Sequence, residues 1–132
     1  MVERITYPHL PSISGPYVHA TKHNETLYVS GLTALGTAAQ SRGVIEQCQC
    51  LLEQIEEILA YESLRKEHII KLTIFVKDIG QLSQIRGALF DFYQGYLPAC
   101  SLVEVSNLIH PDLLVEIELI VALDDERGER ND

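Results

Sequence analysis

Residues 97–122 read LPACSLVEVSNLIHPDLLVEIELIVA and decide the fold of this chain. In residues 113–122, aliphatic side chains alternate with the carboxylates Glu116 and Glu118. A period of two is typical of a strand with one buried face. A second alternating run spans residues 101–108, and a His-Pro-Asp turn joins the two runs. The pattern predicts two neighbouring strands with a proline-bearing connection.

The rest of the chain supplies further elements of both kinds. Apolar residues at helical spacing predict two helices, at 44–59 and 81–96, with Gln47 among the polar residues facing away from the sheet. Tyr96 is expected to be buried at the end of the second helix. Alternation and β-branched content predict further strands at 2–7, 17–23, 25–31 and 69–77.

This order of elements predicts an α+β fold, with two helices packed on one face of a mixed sheet. We expect a single domain at 1–123. The tail at 124–132, DDERGERND, has no apolar residue and is expected to fray. The other face of the sheet is expected to be uncovered, and to need a partner, where it carries Val103, Val105, Val115 and Ile117.

Composition narrows the class of function. The 132 residues carry 19 acidic against 10 basic side chains, a net charge of −9, which disfavours nucleic-acid binding. Charged residues interrupt every apolar run, so no membrane span is predicted. The N-terminal sequence has no apolar signal core, and we expect a cytoplasmic protein. Three cysteines do not form a disulfide framework, and the histidine spacing predicts no metal site.

Five motifs in order identify a family. The C-terminal pair is Pro-Ala-Cys-Ser at 98–101, continuing to Val-Glu-Val, and Val-Glu-Ile-Glu at 115–118. Upstream are Gly-Pro-Tyr at 15–17, Leu-Tyr-Val-Ser-Gly at 27–31, Gln47 near the start of a long helix, and Thr-Ile-Phe-Val-Lys-Asp at 73–78. Over residues 13–122 the chain resembles the Rid proteins (reactive-intermediate deaminases), also called the YjgF family.

The resemblance implies a chorismate-mutase-like fold and a homotrimer with three clefts between subunits. It also implies hydrolysis of 2-imino or enamino acids to 2-keto acids and ammonia, without metal or cofactor. By position, Tyr17 matches the tyrosine of the cleft wall, Ser30 a serine lining the cleft, and Glu116 the glutamate that holds the water. Without the family, the three residues read as a boundary aromatic, a strand end and an exposed carboxylate.

Four positions depart from the family. Cys100 stands where the deaminases carry the arginine that binds the substrate carboxylate, and a thiol cannot form that bidentate, charge-assisted pair. Cys100 is therefore a space-filler, a reactive thiol, or the mark of a site recut for a less acidic ligand. Arg86 stands where relatives often have asparagine, and is either a relocated cation for substrate binding or a surface arginine. Leu32 and His19 each replace a glutamine.

Two hypotheses of function follow. The preferred one is a deaminase that hydrolyses an enamine or imine with altered substrate preference, acting on a small molecule such as a 2-imino or 2-keto acid. The alternative is a non-catalytic trimer that retains the cleft for ligand binding or protein interaction. Loss of the arginine at Cys100 favours the alternative, whereas Tyr17, Ser30 and Glu116 favour the deaminase.

Overall fold

The computed structural model describes residues 1–123, so the tail predicted to fray lies outside the described residues. The strands are β1 (Glu3–Ile5), β2 (Ala20–His23), β3 (Thr26–Leu32), β4 (Ile69–Val76), β5 (Ala99–Glu104) and β6 (Val115–Ala122). The helices are α1 (Val44–Tyr61) and α2 (Leu82–Tyr93), with short 3₁₀ turns at Lys66–His68 and Ile79–Gln81. Within residues 1–123, no helix has the length and apolar character to cross a membrane.

The six strands form one mixed sheet in the order β1-β2-β3-β6-β4-β5. Only β4 and β5 run parallel, and α2 forms the crossover between them, as a parallel pair requires. Both helices cover one face of the sheet. The predicted α+β architecture, a mixed sheet with two helices on one face, is confirmed.

The predicted pairing of the two C-terminal strands is wrong, because β4 lies between them. Phe75 of β4 is paired with Val103 of β5 on one side and with Glu116 of β6 on the other. The connection at 105–114 passes the end of β4, where the Val105 amide donates to Val76 O at 2.8 Å. Alternation predicts which face a side chain takes, but it carries no information on the neighbouring strand.

The expected composition of the uncovered face is also partly wrong. Val115 and Ile117 are fully buried beneath the helices. Their side of β6 is entirely aliphatic, whereas the other side carries two carboxylates, so burying the aliphatic side removes more apolar surface from water. The open face instead carries the other side of β6, with Glu116. Val103 does lie on the open face, and 43% of it is exposed. Tyr28 and Ile70 are further exposed apolar side chains of this sheet.

Several element boundaries differ from the prediction, and two of the differences change the place of an aromatic residue. Helix α2 ends at Tyr93, since Gln94 and Gly95 take left-handed φ values of 52° and 93°. Tyr96 is consequently outside the helix and 54% exposed, so its predicted burial is wrong. Strand β2 begins only at Ala20, which leaves Tyr17 in the preceding loop.

Gln47 faces inward, against the prediction, and its side chain joins two loops. It is 0% exposed. Its Nε2 donates to Gln40 O and Arg42 O, both at 3.1 Å, and to Asp112 O at 2.8 Å. Its Oε1 accepts the Leu114 amide at 2.9 Å. A buried amide is stable when its polar atoms are satisfied, and here the loops before α1 and before β6 satisfy them.

Gln47→Leu is therefore expected to lower the free energy of unfolding by about 2–4 kcal/mol, since buried backbone groups of both loops lose their partner. Urea unfolding followed by circular dichroism measures the change. Gln49→Leu, an exposed position of the same helix, is the matched control and should change stability by less than about 0.5 kcal/mol. Equal losses in the two variants would contradict the role of the Gln47 amide.

Candidate functional site

A cavity of about 160 Å³ lies at the end of β3. Its first wall is the extended segment at residues 10–15, which precedes Tyr17. Its second wall is formed by Ser30 and the residues that follow it in β3, and Leu35 and Ile109 contribute apolar surface. The sequence indicated Tyr17 and Ser30 here, but it gave no indication that residues 10–15 form a wall.

Ser30 is held rigidly at the point where β3 becomes irregular. Its Oγ donates to Val18 O at 2.7 Å, and its amide donates to His19 O at 2.9 Å. The pairing of β3 with β6 shifts register between Val29 and Leu32, which is a bulge around Ser30. Bulges re-aim side chains, and this one lies directly at the cavity.

Glu116 reaches this place from β6 because residue 31 is glycine. A Cβ at Gly31 would overlap Glu116 Oε2, so the carboxylate packs on the bare backbone next to Ser30. Burial raises the pKa of Glu116, and the nearby Glu118 carboxylate raises it further. Glu116 makes no hydrogen bond or ion pair with any residue of 1–123. A partly buried, unpaired carboxylate thus packs on Gly31, which lines the cavity.

Tyr17 lies at the rim of the same cavity, where 51% of the residue is exposed. Its ring packs against Gly15, where a Cβ would come within 2.6 Å of Cε1. The turn therefore needs the glycine at 15 for this ring position. Tyr17 and Ser30, predicted from separate motifs, thus line one cavity, and Glu116 packs on Gly31 of the same cavity.

Cys100 lies away from these three residues. It is paired with the buried Leu72 at the start of the edge strand β5, so it shares the helix-covered face, whereas Glu116 lies on the open face. Two strand spacings and three residues along the strands separate the two positions by roughly 14 Å. Burial raises the pKa of the Cys100 thiol, against an opposing effect of Lys71. The raised pKa does not favour a reactive thiolate.

Arg86 lies apart from both groups. It is exposed on α2 and makes no hydrogen bond or ion pair within the described part of the chain. Burial and the nearby Cys100 thiol raise the pKa of Tyr93, so Cys100 lies close to Tyr93 of α2. Arg86 precedes Tyr93 by seven residues, which is about 10.5 Å along the helix. Within one chain, Arg86 therefore does not stand beside Cys100.

Residues 1–123 contain no group of three or more His, Cys, Asp or Glu side chains placed to hold a metal ion. The three cysteines are free, with Cys48 buried in the core.

The profile of the family described as endoribonuclease L-PSP matches residues 8–123. A 2-iminobutanoate/2-iminopropanoate deaminase of Salmonella typhimurium is 30% identical over 125 residues, covering 91% of this chain and 97% of that protein. A RutC family protein of Pyrococcus horikoshii is 31% identical over 123 residues, with the same coverage of 91% and 97%.

Among solved structures, a protein of the Rid family from Yersinia pestis has a TM-score of 0.84 at 32% identity, covering 93% of this chain and 100% of that one. The chain belongs to the endoribonuclease L-PSP family, also known as the YjgF or Rid family. The family predicted from the five motifs is confirmed.

Proposed function

We propose that this protein is a hydrolytic deaminase that converts a small imine or enamine to a carbonyl compound and ammonia. Water adds to the C=N carbon, the C–N bond of the resulting carbinolamine breaks, and the nitrogen leaves as ammonia. The unpaired Glu116 carboxylate, packed over Gly31 beside Ser30, is the observation that carries the proposal. The Salmonella relative, named as a deaminase of 2-iminobutanoate and 2-iminopropanoate, supports the reaction class.

Each role follows from the surroundings of the side chain. The raised pKa of Glu116 suits a group that takes a proton from water and returns it to the leaving nitrogen. The Ser30 hydroxyl donates to Val18 O and so keeps its lone pairs for a substrate N–H. The Tyr17 ring forms an apolar wall. Hydrolysis of a C=N bond neither oxidises nor reduces the substrate, so we propose that the reaction uses no redox cofactor.

The lining of the cavity supports an altered substrate preference. Aliphatic side chains such as Ile13, Leu35 and Ile109 alternate there with small polar ones, and no lysine or arginine of residues 1–123 lines it. With Cys100 in place of the family's arginine, a 2-imino acid lacks its usual cation. The net charge of −9 would also repel the phosphate backbone of a nucleic acid. We therefore propose small molecules rather than nucleic acid as substrates. The free cysteines support a cytoplasmic location.

The purified protein is expected to accelerate ammonia release from imines generated in situ by an amino-acid oxidase, with bulkier apolar imines preferred over 2-aminoacrylate. Glu116→Gln should reduce kcat/KM by about 100-fold or more, because the group that transfers the proton is lost. Glu57→Gln, an exposed carboxylate on α1, is the matched control and should retain the parent rate. No acceleration on any imine would favour a trimer that only binds its ligand.

The proposed site is completed by a second subunit of a homotrimer. Cys100 and Glu116 lie on opposite faces of the sheet, so both can border one cleft only if two chains supply them. The exposed apolar residues of the open face, among them Tyr28 and Val103, give such an assembly a surface to bury.

Light scattering coupled to size exclusion is expected to give three times the 14.8 kDa chain mass at micromolar concentration. Val103→Lys should shift the mass toward the monomer, since a charge would be desolvated at the interface. Gln49→Lys introduces the same charge at an exposed position of α1, on the helical side of the sheet, and should leave the mass unchanged. A stable monomeric parent would contradict the shared cleft.

Within the trimer we propose that Arg86 supplies the cation that Cys100 does not. Arg86→Ala is then expected to weaken binding of 2-keto acids by about ten- to a hundredfold, as a charge-assisted contact is lost. Cys100→Arg in the Arg86→Ala background should partly restore it. Isothermal titration with 2-ketobutyrate measures both. Equal binding by parent and Arg86→Ala would make Arg86 a solvated helix residue.

A further inference from the structure

The buried histidine His19 connects the two walls of the cavity. Its side chain is directed to the first wall, where Nδ1 accepts the Tyr7 amide at 2.8 Å and Nε2 lies 3.0 Å from Pro11 O. Its backbone carbonyl accepts the amide of Ser30 in the second wall at 2.9 Å. With 5% of its surface exposed, His19 lines the cavity, and its two ring nitrogens are taken up by contacts with the first wall.

The two side-chain contacts define one protonation state of the imidazole. A backbone amide can only donate, so Nδ1 must carry a lone pair, and the proton must be on Nε2, where it is donated to Pro11 O. A doubly protonated imidazolium has no acceptor. It would direct an N–H at the N–H of Tyr7, and the first contact would be lost.

The segment that His19 holds is otherwise anchored at its start alone. The Tyr7 hydroxyl donates to Glu62 at 2.8 Å, and Lys22 forms an ion pair with the same carboxylate at 2.7 Å. Beyond Tyr7, residues 8–15 are extended and turn backbone without a strand partner. The wall is thus fixed by the Tyr7 hydroxyl, the turn from Tyr7 to Leu10, the burial of Leu10 in the core and the two contacts of His19.

We infer that His19 is a pH-sensitive positioning residue, which in its neutral form sets the distance between residues 10–15 and Ser30 and releases that wall on protonation. In this role it acts through the wall, by its contacts with the Tyr7 amide and Pro11 O. The effect of His19 on catalysis rests on the proposed function. The effect of His19 on the wall does not depend on that function.

The titratable groups near the imidazole leave its charge unopposed. Tyr7 stacks on the ring, with centroids 6.0 Å apart, and its pKa is raised by burial and by Glu62, so it stays neutral. Behind Tyr7 lie His9 and Tyr61, and the Glu62 charge is already paired with Lys22. Among residues 1–123, no carboxylate forms an ion pair or hydrogen bond with His19 that would stabilise an imidazolium.

Two other histidines accept backbone amides through Nδ1, but within their own turns. His68 accepts from Arg65 at 2.9 Å, and His110 from Asp112 at 3.0 Å. Only His19, within residues 1–123, uses this contact to join segments twelve residues apart. A substitution at position 19 therefore distinguishes the effect of acid on the wall from its effects on the other histidines.

The test is amide hydrogen exchange at Tyr7, whose amide donates to His19, and at Leu10, followed residue by residue by NMR in the parent, His19→Gln and His19→Leu, at about pH 7.5 and about pH 5. A glutamine amide both accepts and donates and does not titrate at these pH values. After correction for the chemical exchange rate, the parent should lose protection about tenfold or more at the lower pH. His19→Gln should be protected at both, and His19→Leu at neither.

The inference is overturned if the parent and His19→Gln show the same pH dependence. It is also overturned if a folded His19→Leu is protected like the parent. If His19→Leu does not fold, the comparison of the parent with His19→Gln decides alone. If kcat/KM falls about tenfold in His19→Leu and is restored in His19→Gln, the position of the wall also affects catalysis. A parent without deaminase activity refutes the proposed function but leaves the exchange test intact.

Discussion

The pairing of β4 on both of its edges is the constraint on which this structure depends. Its register with β5 and with β6 determines that Val103 and Glu116 share the open face, while Cys100 shares the buried face with Leu72. The crossover through α2 requires β5 to run parallel to β4, which leaves β6 to fill the antiparallel position between β4 and β3. Glu116 can therefore meet Gly31 of β3, since β6 and β3 are neighbours.

The loops around the site are held by side-chain amide and imidazole groups, which replace regular secondary structure there. Gln47 satisfies backbone groups before α1 and before β6, and His19 does so for the segment that enters β2. Such contacts tolerate no loss of a partner in the interior. They also fix loops in place without filling the cavity, so the site keeps an open volume beside a rigid sheet.

The electrostatics of the site follow from the same arrangement. Glu116 and Glu118 lie on one side of β6 without a basic partner from residues 1–123, and this like-charge pair, together with burial, raises the pKa of Glu116. A family member with an arginine at position 100 has a cation to offer its ligand. Here no basic side chain of residues 1–123 is paired with the carboxylates, so we propose that a second subunit supplies the cation.

The sequence alone determined the family, the two helices and the strands, because amphipathic periods of 3.6 and 2 report directly on burial. It also indicated Tyr17 and Ser30, which line one cavity, and Glu116, which packs on Gly31 of that cavity. The tertiary structure decided that β4 separates the last two strands, that Gln47 faces inward and that Cys100 and Glu116 occupy opposite faces. The physical reason is distance along the chain, because periodicity depends only on residues that are close together in the sequence. A strand's partner, and the carbonyl that satisfies a buried amide 65 residues away, are set only when distant segments pack.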